Sequence, residues 1–269
     1  MQRIPAVADQ FYPGDPDTLK KTVNALTPTI PLDQKITALA VVAPHAGYIY
    51  SGAVAGETFA RVEIPETIIL MGPNHHGQGT PVSLMISGNW QMPMGDVPIN
   101  EELANILLRS SSLIKEDTIA HRLEHSLEVE VPFLQYLQPN LSLTPLVISH
   151  LSLEECLELG KSLADGIDQY NKPVLIVASS DMTHYESRAA ASSKDQLAME
   201  QLKKLNPEGL YSTVLENGIS MCGIMPTTVA LAAAVKLGAK KAQLVRYTDS
   251  GATSGDTDHV VGYAGFVIS

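Results

Sequence analysis

Residues 36–52 read ITALAVVAPHAGYIYSG. The apolar run closing on Val41, Val42 and Ala43 has the composition of a strand covered on both faces, as in a parallel sheet. It stops at Pro44 and delivers His45 straight off the strand end. Gly47, Tyr48, Tyr50 and Gly52 follow, and a helix is expected from Ala53. In open α/β sheets, ligands bind beyond the carboxyl ends of the strands. This stretch therefore predicts an architecture and, at its end, a candidate site.

The same alternation continues along the chain. Strands are expected at Thr37–Ala43, Thr67–Met71, Val82–Ser87, Leu143–Ser149, Val174–Ser179, Gln243–Tyr247 and Val260–Val267. Helices are expected at Asp15–Leu26, Ala53–Val62, Asn100–Ser110, His125–Leu137, Leu153–Gln169, Ser187–Leu205, Pro207–Glu216 and Pro226–Leu237. Strands separated by helical segments of this length predict a three-layer αβα domain with a central, mostly parallel sheet. The last two strands are joined only by the turn-rich SGATSGDTD, so a closing hairpin would make the sheet mixed. With no repeat, low-complexity tract or linker, residues 1–269 read as a single α/β domain, preceded by an irregular lead-in over residues 1–15.

The balance of 18 basic and 29 acidic residues gives a net charge of −11, with no local Lys/Arg cluster. A phosphate backbone or an anionic membrane surface would be repelled, so neither nucleic acid nor membrane is an expected partner. The first residues lack the apolar core of a signal peptide. Cys156 and Cys222 cannot build a disulfide framework, which suits a reducing cytoplasm.

Three apolar strands each hand a histidine to the loop at their carboxyl end: His45, His75 or His76 in GPNHHG, and His184 in SSDMTHY. On neighbouring parallel strands these would share one edge of the sheet. Glu124-His125-Ser126-Leu127-Glu128 is expected to open a helix, with Glu124 and Glu128 on one face. Acidic residues there also suit the helix dipole without any catalytic role. Cys222 precedes a small-residue helix, where the dipole favours thiolate. Imidazoles with a thiolate or carboxylate form a common shell for a divalent transition metal. A nucleophilic Cys222 activated by a histidine is the weaker reading, since it leaves two strand-end histidines without a role. Trp90 reads as a loop packed on the core, and Cys156 as helix packing. Dinucleotide, P-loop and serine-hydrolase signatures are missing.

In order, RIPAVADQFYP, APHAGYIYSG, GPNHHG, EHSLEVEVPFLQ, SSDMTHY and MCGIMP resemble the Memo family, including its prokaryotic members called AmmeMemoRadiSam system protein B. One departure is Asp9, where that family more usually has glycine. The resemblance implies the fold of class III extradiol dioxygenases. Carried over by motif, it implies metal ligation by His45, His75 and Cys222, with Asp181, His184 and His125 as further, catalytic, pocket residues. It implies iron or copper, with zinc a further option, and names a radical-SAM protein as a candidate partner. Ring-cleaving relatives use a carboxylate where Cys222 stands, so the resemblance does not hand over their substrate. The leading expectation is a non-haem iron or copper site with a redox or oxygen-dependent reaction. The alternatives are a zinc-dependent hydrolase and a non-catalytic scaffold for a small molecule or peptide.

Overall fold

The computed structural model describes residues 2–269. Its strands, in chain order, are β1 (Gln2–Arg3), β2 (Ala40–Ala43), β3 (Thr67–Pro73), β4 (Val82–Leu84), β5 (Asn89–Trp90) and β6 (Val97–Pro98). They continue as β7 (Lys115–Glu116), β8 (Ser142–Ile148), β9 (Val174–Ser179), β10 (His184–Glu186), β11 (Ala242–Asp249) and β12 (Val260–Ile268). Among the described residues a nine-stranded sheet runs in the order β10-β12-β2-β9-β3-β8-β4-β7, with β11 on the other side of β12. Its centre, β2-β9-β3-β8, is parallel, and β4 and β12 join it antiparallel. The closing hairpin forms as expected, β11 pairing antiparallel with β12.

Register decides where chemistry can occur. Ala43 lies opposite Ser179, Met71 opposite Ala178, and Pro73 opposite Ile148. The carboxyl ends of the central strands are therefore level, and His45, Asp181 and His75 each follow their strand's last residue by two positions.

Helices α1 (Pro16–Leu26), α2 (Tyr48–Ala60), α3 (Glu101–Ser110), α4 (Val131–Leu137), α5 (Leu153–Tyr170), α6 (Arg188–Lys203), α7 (Pro207–Glu216), α8 (Ile224–Lys236) and α9 (Gly251–Ser254) complete the element set. One layer gathers α1, α2 and α4, and the other α3, α5, α7 and α8, giving the αβα sandwich. In α8 every residue from Ile224 to Ala234 is buried, which explains a sequence apolar all round rather than on one stripe. No helix among the described residues is long and apolar enough to cross a membrane.

Two helix starts differ from expectation. The α2 helix begins at Tyr48, five residues before Ala53, because its first N–H donates to the Phe11 carbonyl at 2.8 Å. The lead-in thus supplies the cap that Gly47 has no side chain to make. The α4 helix begins at Val131 rather than His125, after a single 3-10 turn over Glu128–Glu130. Pro132 has no N–H to continue a helix begun at 125, but fits a first turn without loss. Glu124 and Glu128 consequently do not share a helix face. They point to different partners.

Glu128 anchors the lead-in. Its carboxylate accepts from Ala6 N–H at 2.7 Å, Val7 N–H at 3.1 Å and the Tyr12 hydroxyl at 2.5 Å, and pairs with Arg3 at 2.7 Å. The Arg3 guanidinium also donates to the His121 and Glu124 carbonyls, each at 2.7 Å, and lies over the Trp90 ring. Trp90 is buried as expected, but it lies in strand β5, paired with β1 and β6, rather than in a loop. Asp9 stands at φ 63°, in the left-handed region where glycine would be free of strain, and its carboxylate accepts from Gly14 N–H.

His121 is buried beside Arg3, and burial first, then the guanidinium charge, pushes its pKa down to about 4. The unfolded chain binds a proton near 6.5 that the folded one refuses, so this contribution is complete above that pH and is lost on acidification. From there to about pH 5 the loss is roughly 2 kcal/mol. Urea denaturation of metal-free protein should show a stability slope steeper than that of His121→Leu by roughly 1.4 kcal/mol per pH unit. Equal slopes would contradict a neutral buried imidazole.

Candidate metal centre

The strand-end loops converge. Nitrogens of His45, His75 and His125 all lie within 4.8 Å of one another, a grouping able to hold a metal ion. Ring centroids are 5.3 Å apart for His45–His75, 5.5 Å for His45–His125 and 4.6 Å for His75–His125, the last pair stacked. His45 forms the buried floor, while His75 and His125 stay partly accessible. Phe11 of the lead-in closes one side, its ring 4.9 Å from that of His125.

The hydrogen bonds behind His45 define which face is free. Its Nδ1 lies 2.7 Å from the Ser179 hydroxyl. That hydroxyl has one proton, and it goes to the Ser126 carbonyl at 2.7 Å, which has no other donor among the described residues. Ser179 therefore accepts from His45 Nδ1–H, and Nε2 is left bare toward the site. Glu130 lies on the far side, Oε1 3.0 Å from Ser179, with Oε2 unpartnered among the described residues. Its carboxyl is held well above the ordinary range, chiefly by complete burial and then by the nearby Asp181. His45 itself is held well below its ordinary pKa by burial and by the neighbouring His125 and His75.

Cys222 comes to this face from the turn before α8, its Sγ 3.3 Å from His45 Nε2. Two such ligands on one tetrahedral ion would stand roughly 3.5 Å apart, so the pair is already spaced for sharing one. The expected thiolate is not the resting state: burial and the neighbouring Asp181 push the thiol up, outweighing the N–H groups of Asp181 and Gly223 that favour the anion. A cation is needed to release its proton.

Asp181 braces the turn after β2, accepting from His45 N–H at 2.9 Å, and burial pushes its pKa up to about 7. His184 stands at the edge, its backbone N–H bonded to the Ser220 hydroxyl and its Nδ1 2.9 Å from the Ser220 carbonyl. Glu124, beneath His75, has lost its proton in spite of burial, because His75 and the Ser126 N–H bond the anion.

A family model described as "Memo-like protein" matches residues 3–267. The chain belongs to the Memo-like protein family. A MEMO1 family protein of Methanopyrus kandleri is 39% identical over 279 residues, spanning 99% of each chain. One from Aquifex aeolicus is 40% identical over 266 residues, spanning 98% of each. An uncharacterized protein from Escherichia coli K12 shares the fold with a TM-score of 0.56 at 16% identity, over 83% of this chain and 98% of its own.

In this Memo-like chain the folding brings His45, His75 and His125 to one point, with Cys222 against His45 but outside that mutual grouping and Asp181 bonded to the His45 backbone. His184 contacts Ser220 rather than the imidazole group. His76, the alternative to His75, turns away and bonds the Leu123 carbonyl through Nε2. Ser179 and Glu130 escape a reading of the sequence by residue type, since a serine ending a strand and a glutamate in an acidic segment look ordinary there. The signal for Glu130 is its setting, a carboxylate flanked by Val129 and Val131 in a segment that turns out fully buried.

Proposed function

We propose that this protein binds one redox-active transition metal, iron or copper, through His45, His75 and Cys222, with His125 at hand as a further donor. The observation that carries the reading is the grouping of three imidazoles with a thiol beside His45 Nε2, the opposite face of His45 being tied to Ser179 and that of His75 to Glu124. Imidazole with thiolate suits iron, copper and zinc, and fewer protein ligands than the ion accepts leave room for oxygen or a small-molecule substrate. Such an ion would supply redox chemistry. The chain's own residues would orient it and exclude water, with Asp181 and His184 as the groups that would hold protons. The reaction class that follows is a redox or oxygen-dependent step.

Metal analysis of anaerobically purified protein tests this. About one iron or copper per chain is expected, falling at least tenfold in His45→Ala. Cys222→Ser should remove the thiolate-to-metal charge-transfer absorption while the chain remains folded. Substoichiometric metal that ignores the His45 substitution would overturn the proposal.

The three-imidazole grouping supports a second reading, since three histidines with an open fourth position also make a zinc-activated water. That reading requires turnover that survives anaerobic conditions and is lost to chelators.

A further inference from the structure

Glu124 enters that scheme only as the partner of His75 Nδ1, and its bonds are unusually constrained. Its Oε2 accepts from the His75 backbone N–H at 2.7 Å. Its Oε1 accepts from the Ser126 backbone N–H at 2.9 Å and lies 2.8 Å from His75 Nδ1. The side chain is 1% exposed, so water cannot substitute for any of these partners. Each oxygen thus faces a backbone donor that cannot be rearranged. Neither oxygen has a proton to give, and His75 Nδ1 must be the donor.

We propose that Glu124 is the positioning residue of the centre: it locks His75 as the Nδ1–H tautomer with Nε2 bare toward His45, and supplies a fixed negative charge behind a bound cation. A carboxylate behind a ligating imidazole fixes ring orientation and raises its basicity. The two strand-end histidines are therefore held differently, His45 by a neutral hydroxyl and His75 by an anion. The same carboxylate lies 3.6 Å from His125 Nδ1, so it sits behind two of the three imidazoles at once. Its own loop is tied down independently, since Arg3 donates to the Glu124 carbonyl.

The Glu124→Gln substitution is discriminating because an amide has only one oxygen. With its NH2 at the Oε2 position it opposes the His75 N–H. At the Oε1 position it opposes the Ser126 N–H and drives His75 to the other tautomer. No orientation reproduces the carboxylate.

The inference rests on His75 being a ligand, so its test has a metal-free arm and a zinc arm. Nitrogen-15 spectra of histidine-labelled, metal-free protein should show His75 with Nδ1 protonated and Nε2 bare wherever the ring is neutral, and a loss of that pattern in Glu124→Gln. Zinc titration against a chromophoric chelator should show affinity lower by about 10–100-fold in the variant. A wild-type His75 with bare Nδ1 overturns the proposal outright, even if the variant fails to fold. So does a variant that keeps both the tautomer and zinc affinity within twofold. If neither protein binds zinc while the tautomers differ as expected, the tautomer lock on His75 stands and ligation of zinc by His75 falls.

Discussion

Glu128→Ala should cost at least about 3–5 kcal/mol of stability, the penalty for leaving one partner of a buried ion pair without the other. Arg3 and Glu128 are 2% and 0% exposed, so the stranded guanidinium has no solvent to turn to. Ala6 N–H, Val7 N–H and the Tyr12 hydroxyl would lose their acceptor as well. Against a typical total of about 5–15 kcal/mol, this is a large share. Urea denaturation followed by circular dichroism measures it directly. Glu128→Gln, which keeps the shape and one acceptor oxygen, should fall between wild type and alanine. A loss below about 1 kcal/mol for the alanine variant would mean that the lead-in is not held by this carboxylate.

Gly223→Ala should damage the site and the fold together. A Cβ at this position would lie 2.4 Å from the Ser179 carbonyl oxygen and 2.4 Å from Ser180 Cβ. With φ at −93°, alanine meets no conformational obstacle, so the whole cost is steric. The atoms in the way belong to the end of a central strand and cannot swing aside. Overpacking of this kind costs about 1–3 kcal/mol. Relief requires β9 and the turn before α8 to separate, which carries Cys222 away from His45. Zinc affinity should drop by about 10–100-fold, and the thiol should become more reactive toward alkylating reagents. A variant that melts, binds and alkylates like wild type would show that strand and helix do not depend on this close approach.

Much of the architecture was legible because it follows from local patterns. Apolar runs such as VVA and TIILMGP have a single stable place, the middle of a two-sided sheet, and the helical segments between them impose parallel neighbours. The strand-end histidines were legible for the same reason. The start of α2 was not, because it depends on a carbonyl 37 positions earlier in the chain, and no local signal encodes that partner. The segment from Glu124 to Glu130 was misread as helix because acidic and apolar residues alternate at helical spacing. Pro132 carries the information that the helix must start later. The thiol of Cys222 illustrates a different limit. Its place before a helix favours the anion, but burial beside Asp181 opposes it, and burial is a property of the assembled fold.

The tether between the lead-in and Glu128 also has a consequence in time. Tyr12 and Glu128 are 116 positions apart, and Arg3 reaches across 121 to the Glu124 carbonyl. During synthesis, residues 3–12 must remain undocked until that distant turn has emerged. Cys222 comes still later, 177 positions after His45. Contacts this remote are the slow ones to form. A nascent chain therefore presents His45 and His75 well before anything exists to enclose them, and the pocket closes only when most of the polypeptide is available. A complete set of donors, the thiol included, accordingly exists only in the finished molecule and not in the growing one.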